Sequence, residues 1–363
     1  MNFAFLNSPL VFVEKMRFFN FVAISGIVFF SGCEDTSKNG SKKGPSGDSL
    51  LSPEPLVDEE QFPIGNRGQV NLGNTCYFNA LMQVLAHADP VKEYVEKTEV
   101  AQDKPVTSGF KNLVMAHWNK DHGGEVYNPK KFLELCRRKK PESFGEGRQE
   151  DAYEAYGEVL NMLEDANLKG LYNFQVASRL HCPNHGIDGE PTVVIESALT
   201  LPVPEKQTRV DVTELLRSWG ALESLEANCG QQTNDPGASR SFMIMTAPDV
   251  LVLHLGRFAY NKATGVLLKI KEGVTFDIEL DLGNIMNDRI NPTLASQGSL
   301  NYKLTGVVHH HGEDLGNGHY TADYHNSFYN RWFHADDRQI SKRGVPGKKI
   351  STSAYLLIYS KVK

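Results

Sequence analysis

Cys76 stands at the head of an amphipathic run, NLGNTCYFNALMQVL, in a chain that has only five cysteines among its 363 residues. A thiol placed there becomes a nucleophile only if another group takes its proton. Far downstream, GNGHYTADY sets His319 between a glycine turn and an alternating run, and WFHADDRQI follows with Asp336 and Asp337. A cysteine, a histidine and an acid arranged in this way are the nucleophile, the base and the orienting acid of a thiol hydrolase. Taken singly, each has an ordinary reading: free cysteines are among the most buried residues, and His319 alone would be a strand-edge histidine. The conjunction favours chemistry.

These residues must be carried by regular elements, and the pattern supplies them. Asn74 is a good N-cap, and Leu81, Met82 and Leu85 share one face of the run that follows. Cys76 then falls in the first helical turn, where backbone N–H groups and the helix dipole favour a thiolate. CYFNALMQVLAH, GFKNLVMAHWNK, PKKFLELCRRK and EDAYEAYGEVLNMLEDA all carry apolar residues at helical spacing. From Tyr172 onward the pattern turns to short alternating or β-branched runs: FQVASRL, PTVVIESALTL, SFMIMTA, DVLVLHLGRF, YKLTGVVHHHG, HYTADYHN, RWFHADD and YLLIYSK. Helices first and strands later predict an α+β enzyme with a cleft between the two parts.

Composition narrows the function classes. Hydrophobic residues make up 40% and charged residues 23%, as in a soluble globular protein, and the net charge of -6 argues against a nucleic-acid partner. The strongest basic run, Arg137 to Lys140, reads as a solvated helix end. Cys33, Cys76, Cys136, Cys182 and Cys229 are too scattered for a disulfide framework and call for separate explanations.

The first residues have a different character. Lys15 and Arg17 form a basic start, residues 18–30 an apolar run, and Ser31-Gly32-Cys33 a small-residue end. That is the outline of a secretory signal, with Met16 an alternative start, and the apolar run is short for a membrane span. FSGC resembles a bacterial lipobox, which would lipidate Cys33. A short membrane anchor or a signal without lipid are the alternatives. The expected organisation is a signal and lipobox region over 1–33, a polar tether over 34–62 and a catalytic domain over 63–363.

At this point the chain resembles the ubiquitin-specific protease family. NLGNTCYFNALMQVL is similar to that family's cysteine box, and GNGHYTADY with WFHADD to its histidine box. RQEDAYE (148–154), PDVLVLHLGRFAYN and AYLLIYSK resemble three further family segments, in the family's order. The resemblance implies a papain-like fold in which a helical thumb packs on a β-rich palm, with a reduced fingers region. It implies Cys76 as nucleophile, His319 as base and Asp336 as acid, with Asp337 the rival. Asn71 would donate its amide to the oxyanion hole, and His310 would pack or hydrogen-bond near the site. The implied reaction is hydrolysis after the terminal Gly-Gly of ubiquitin, by a monomer without cofactor. Asp151 and Glu150, with Glu154, would meet the arginines that precede those glycines, and Tyr320 joins the expected substrate contacts. The family's zinc-bearing fingers are degenerate here: Cys182, His185 and Cys229 remain, Gln232 stands where a ligand belongs, and only His181 is in reserve. Three ligands make a poor structural zinc site. Two alternatives stay open, an isopeptidase for another Gly-Gly modifier of the SUMO or NEDD8 type, and an inactive ubiquitin-binding lipoprotein. A lipobox combined with ubiquitin chemistry implies a bacterial effector that acts on host conjugates.

Overall fold

A computed structural model describes residues 62–363, except 100–102, 123, 183–186, 206–208, 222, 225–237, 262–265, 297–299, 315–316 and 348–349. The chain divides into two units. One comprises 1–52 and 260–266 and lies almost wholly outside the described residues. The other, residues 53–259 and 267–363, carries the elements below.

The helical half contains Cys76–Ala86, Asp89–Lys97, Pro105–Trp118, Lys130–Lys139, Ala152–Met162 and Ala166–Gly170. Asp89–Lys97 escaped the periodicity reading because it opens on a proline at its first turn, a position where the missing N–H costs nothing. Strands begin at Phe174. The run PTVVIESALTL is not one strand but two, Thr192–Glu196 and Leu199–Pro202.

The main sheet is built on Asn301–His311. One side of it pairs antiparallel with His319–Asn326, then Arg331–Asp336, then Gln339–Arg343. The other side pairs with Ala354–Lys361, then Val250–Gly256, and Leu199–Pro202 closes that edge in parallel. A smaller sheet holds Phe174–Cys182, Thr192–Glu196 and Ser239–Ile244, the described part of the fingers. The fold is the α+β arrangement of a helical thumb on a β palm.

Two packing details position the site. Every residue of Cys76–Ala86 is buried, as expected of a helix enclosed on all sides. The helix can lie against the sheet because residue 306 has no side chain: a Cβ there would come within 2.7 Å of Val84 Cβ. At the end of the sheet where Ala354 pairs with His309, the buried Arg257 of HLGRF donates to four carbonyls. Nε reaches Ala354 O at 2.6 Å and the terminal nitrogens reach Glu272 O, Ser351 O and Ile270 O at 2.8, 2.9 and 3.2 Å. A planar fork of donors suits such a cluster, and it ties the strand Ala354–Lys361 to its neighbours.

Candidate active site

The turn before the catalytic helix is built by side chains folding back on backbone. Asn71 Oδ1 accepts from Gly73 N at 3.0 Å and Thr75 N at 3.2 Å, and Thr75 Oγ1 accepts from Leu72 N at 2.8 Å. Gly73 and Asn74 take positive φ angles of 93° and 55°, which glycine and asparagine tolerate best. The helix cap is Thr75 and not Asn74. Asn74 instead sends its amide to Gly147 O at 2.8 Å, bracing the turn against the loop before Asp151. Cys76 emerges as the first helical residue and is 3% exposed.

His319 begins the strand His319–Asn326, where alternation places Tyr320, Ala322 and Tyr324 in the core cluster around the catalytic helix. His319 Nε2 lies 2.6 Å from Asp336 Oδ1. With that nitrogen committed, Nδ1 is the ring nitrogen left for Cys76. The Cys76 hydrogen bond, opposed by partial burial and aided by Asp336, raises the imidazole to about 9, so the ring holds its proton at neutral pH.

The two adjacent acids do different work. Asp336 ends its strand and faces His319. Asp337 takes a left-handed φ of 49° and bonds different partners. Its Oδ2 accepts from Asn71 Nδ2 at 2.8 Å and its Oδ1 from Asn79 Nδ2 at 2.7 Å. Its carbonyl also accepts from Gln69 N at 2.6 Å. Asp337 therefore fastens the turn and the helix Cys76–Ala86 to the end of the strand Arg331–Asp336, a role the sequence did not reveal. An Asn71 amide has two hydrogens, so Asp337 holds the side chain by one while the other stays free.

His319, Asp336 and Asp337 also place ligand atoms within 4.8 Å of one another, the one such grouping among the described residues. Its atoms are already used between His319 and Asp336, and between Asp337 and the two asparagines.

The expected substrate contacts fare differently. Asp151 is 5% exposed and saturated: Oδ1 caps the helix Ala152–Met162 through Tyr153 N and Glu154 N, both at 2.8 Å, and Oδ2 accepts from Tyr355 Oη at 2.6 Å. It has no free face for an arginine, and its carboxylate is spent on helix capping. Glu150 pairs within the chain, with Arg148 Nη2 3.2 Å from Oε1. Glu154, exposed at the helix start, is the acid best placed to meet a partner. Tyr320 is 1% exposed, its ring 4.7 Å from His310 and 6.3 Å from Tyr355, so it is a core aromatic and not a contact surface. His310 is fully buried beside it, and burial lowers it to about 4, leaving it neutral.

In the fingers, Cys182 is disulfide-bonded, with its partner outside the described residues. The expectation that each cysteine stands alone is corrected here. An oxidised sulfur is not a thiolate ligand, and His181 Nε2 is 2.8 Å from Ser241 Oγ. His185 and Cys229 lie outside the described residues, as does Cys33. Chelator treatment is expected to leave activity and melting temperature unchanged. Stoichiometric zinc in the purified protein by elemental analysis would overturn that.

With the geometry in place, comparison with known proteins is informative. A family model described as ubiquitin carboxyl-terminal hydrolase matches residues 67–359. The chain is 26% identical to Ubiquitin carboxyl-terminal hydrolase 12 of Salmo salar, over 84% of this chain and 92% of that protein. It is also 26% identical to Ubiquitin carboxyl-terminal hydrolase 26 of Arabidopsis thaliana, over 81% of this chain but only 28% of that much longer protein. Among solved structures, the SAGA Ubp8/Sgf11/Sus1/Sgf73 DUB module bound to ubiquitin aldehyde shares the fold. The TM-score is 0.65 and the identity 21%, over 86% of this chain and 72% of that one. The matched region spans the helix that begins at Cys76, the strand that begins at His319 and the strand that ends at Asp336, and the chain belongs to the ubiquitin carboxyl-terminal hydrolase family of cysteine-type deubiquitinases.

Proposed function

We propose that this chain hydrolyses the peptide or isopeptide bond after the C-terminal Gly-Gly of ubiquitin, with Cys76, His319 and Asp336 as its triad. The single observation that carries the reading is the 2.6 Å contact of His319 Nε2 with Asp336 Oδ1, which leaves the other ring nitrogen for Cys76, the group that does most to raise the imidazole. The Cys76 thiolate attacks the glycine carbonyl carbon. The tetrahedral oxyanion is met by the Cys76 backbone N–H and the free N–H of Asn71. His319 then gives its proton to the departing amine, leaving a thioester. A water, deprotonated by the same imidazole, cleaves the thioester and restores the thiol. The test is labelling with ubiquitin bearing a C-terminal electrophile. One adduct at Cys76 by mass spectrometry is expected, and no adduct would sink the proposal. Preferential labelling by a SUMO- or NEDD8-type probe would keep the chemistry and change the modifier.

The pH profile follows from the same geometry. Since the imidazolium must persist, the alkaline limb of kcat/KM is expected at about pH 9 and not near the ordinary histidine value. A limb near neutrality would mean that His319 is not held by Cys76 and Asp336 in solution.

The proposal extends to location. The sequence before residue 34 supports a lipidated Cys33, and a disulfide at Cys182 fits passage through an oxidising compartment. A protein so anchored would use a tether reaching about 30 Å and would meet ubiquitin conjugates in a host cell. Cys33→Ser is expected to move the protein from the membrane to the soluble fraction with its activity intact. A wild-type N-terminus found unprocessed by mass spectrometry would refute the lipid anchor. No helix among the described residues is long and apolar enough to cross a membrane.

A further inference from the structure

The sheet face that presents His319 carries a second polar cluster which the reaction does not use. Asp323 is 1% exposed, four residues beyond His319 on the same face of the strand, and three groups converge on it. His309 Nε2 lies 3.0 Å from Oδ2, His334 Nδ1 2.6 Å from Oδ1, and Arg343 Nε 3.2 Å from Oδ2. Each comes from a different strand: Asn301–His311, Arg331–Asp336 and Gln339–Arg343. One carboxylate thus spans four adjacent strands.

The placement of this tie gives it meaning. The backbone ladder between the histidine strand and the acid strand runs from Asn326↔Arg331 and ends at Ala322↔Ala335. Beyond that pair, His319 Nε2 and Asp336 Oδ1 meet across the two strands at 2.6 Å. Asp323 is opposite His334, one pair before the ladder ends. His334 lies two residues before Asp336, and therefore on its face.

We propose that Asp323 is a positioning residue for the proposed reaction: by gripping His334 it fixes the separation and twist of the two strand ends on which His319 and Asp336 meet. An ionised Asp323 accepts, so His309 and His334 must both present N–H to it. The other ring nitrogen of His309, Nδ1, lies 3.1 Å from Ser353 Oγ. Asp323 is held well below the ordinary carboxylate range by His309, His334 and Arg343 despite its burial. The charge is stable through the working pH range, so the grip does not switch off at moderate acidity.

The inference rests on the triad reading, and the experiment separates the two. His334 is only partly buried, so it can be changed with less risk than Asp323. His334→Ala removes the donor, whereas His334→Asn keeps an amide N–H close to the position of Nδ1. His334→Ala is expected to lower kcat by about 10-fold or more, as a small misplacement of reacting groups does, with KM little changed. It should also move the alkaline limb of kcat/KM from about 9 toward neutrality, because His319 loses its close partner. His334→Asn should restore both. Asp323→Asn, where it folds, should resemble His334→Ala. A lowered melting temperature with an unmoved alkaline limb, or failure of His334→Asn to rescue, would reduce Asp323 to a stabilising contact. Failure of the wild-type protein to label at Cys76 would instead sink the triad reading itself.

Discussion

Cys76→Ala is expected to abolish cleavage of ubiquitin conjugates, with turnover falling by at least roughly 10⁴-fold, as when a triad loses its nucleophile. The fold should survive, since a methyl group fits where the thiol was and alanine is the best helix former. Binding should survive too, because the turn is held by Asn71, Thr75 and Asn74 and not by Cys76. Cys136 is no substitute: it is fully buried on the helix Lys130–Lys139, and burial pushes its thiol up to about 12. The measurement is hydrolysis of a ubiquitin C-terminal amide alongside calorimetric titration of the variant with ubiquitin. Residual turnover above a trace would remove Cys76 from the nucleophile's role. Loss of ubiquitin binding would show that the turn depends on the thiol.

The order of elements was legible because it rests on local pattern. The run after Cys76 is mostly apolar, and its two polar residues, Asn79 and Gln83, are buried with hydrogen-bond partners. The alternation in HYTADYHN assigns Tyr320, Ala322 and Tyr324 to the core and leaves His319 on the other face. That same alternation could have excluded Tyr320 as a substrate contact. Asp151 was misjudged for a different reason. An acid before an apolar helix reads equally as a cap or as a binding group, and only the approach of Tyr355, 204 residues away, decides it. Asn74 reads as the cap because a sequence does not record a positive φ; the left-handed turn moves the cap to Thr75. The Asp323 cluster was invisible because its four members come from four strands, and their convergence depends on register.

Asp336→Ala is expected to lower kcat by on the order of 10²–10⁴, in line with the loss of the orienting acid from a triad. The imidazole would lose the bond that fixes its tautomer and the charge that stabilises its protonated form. Of the groups that raise His319, Cys76 would remain and Asp336 would go, so the alkaline limb should fall from about pH 9. Asp337→Ala should behave differently. It frees the Asn71 and Asn79 amides, which Asp337 holds at 2.8 and 2.7 Å, without touching the bond between His319 and Asp336. The expected loss is that of a mobile oxyanion donor, smaller than the roughly 10²–10³ for removing such a donor outright. The alkaline limb should stay in place. The pair of variants thus reads two functions from two neighbouring residues: Asp336 sets where on the pH axis the enzyme works, and Asp337 sets how well the oxyanion is met. Should Asp337→Ala be the more damaging and also move the limb, the roles of the two acids are exchanged, and the left-handed turn at Asp337 would have to reverse when substrate binds.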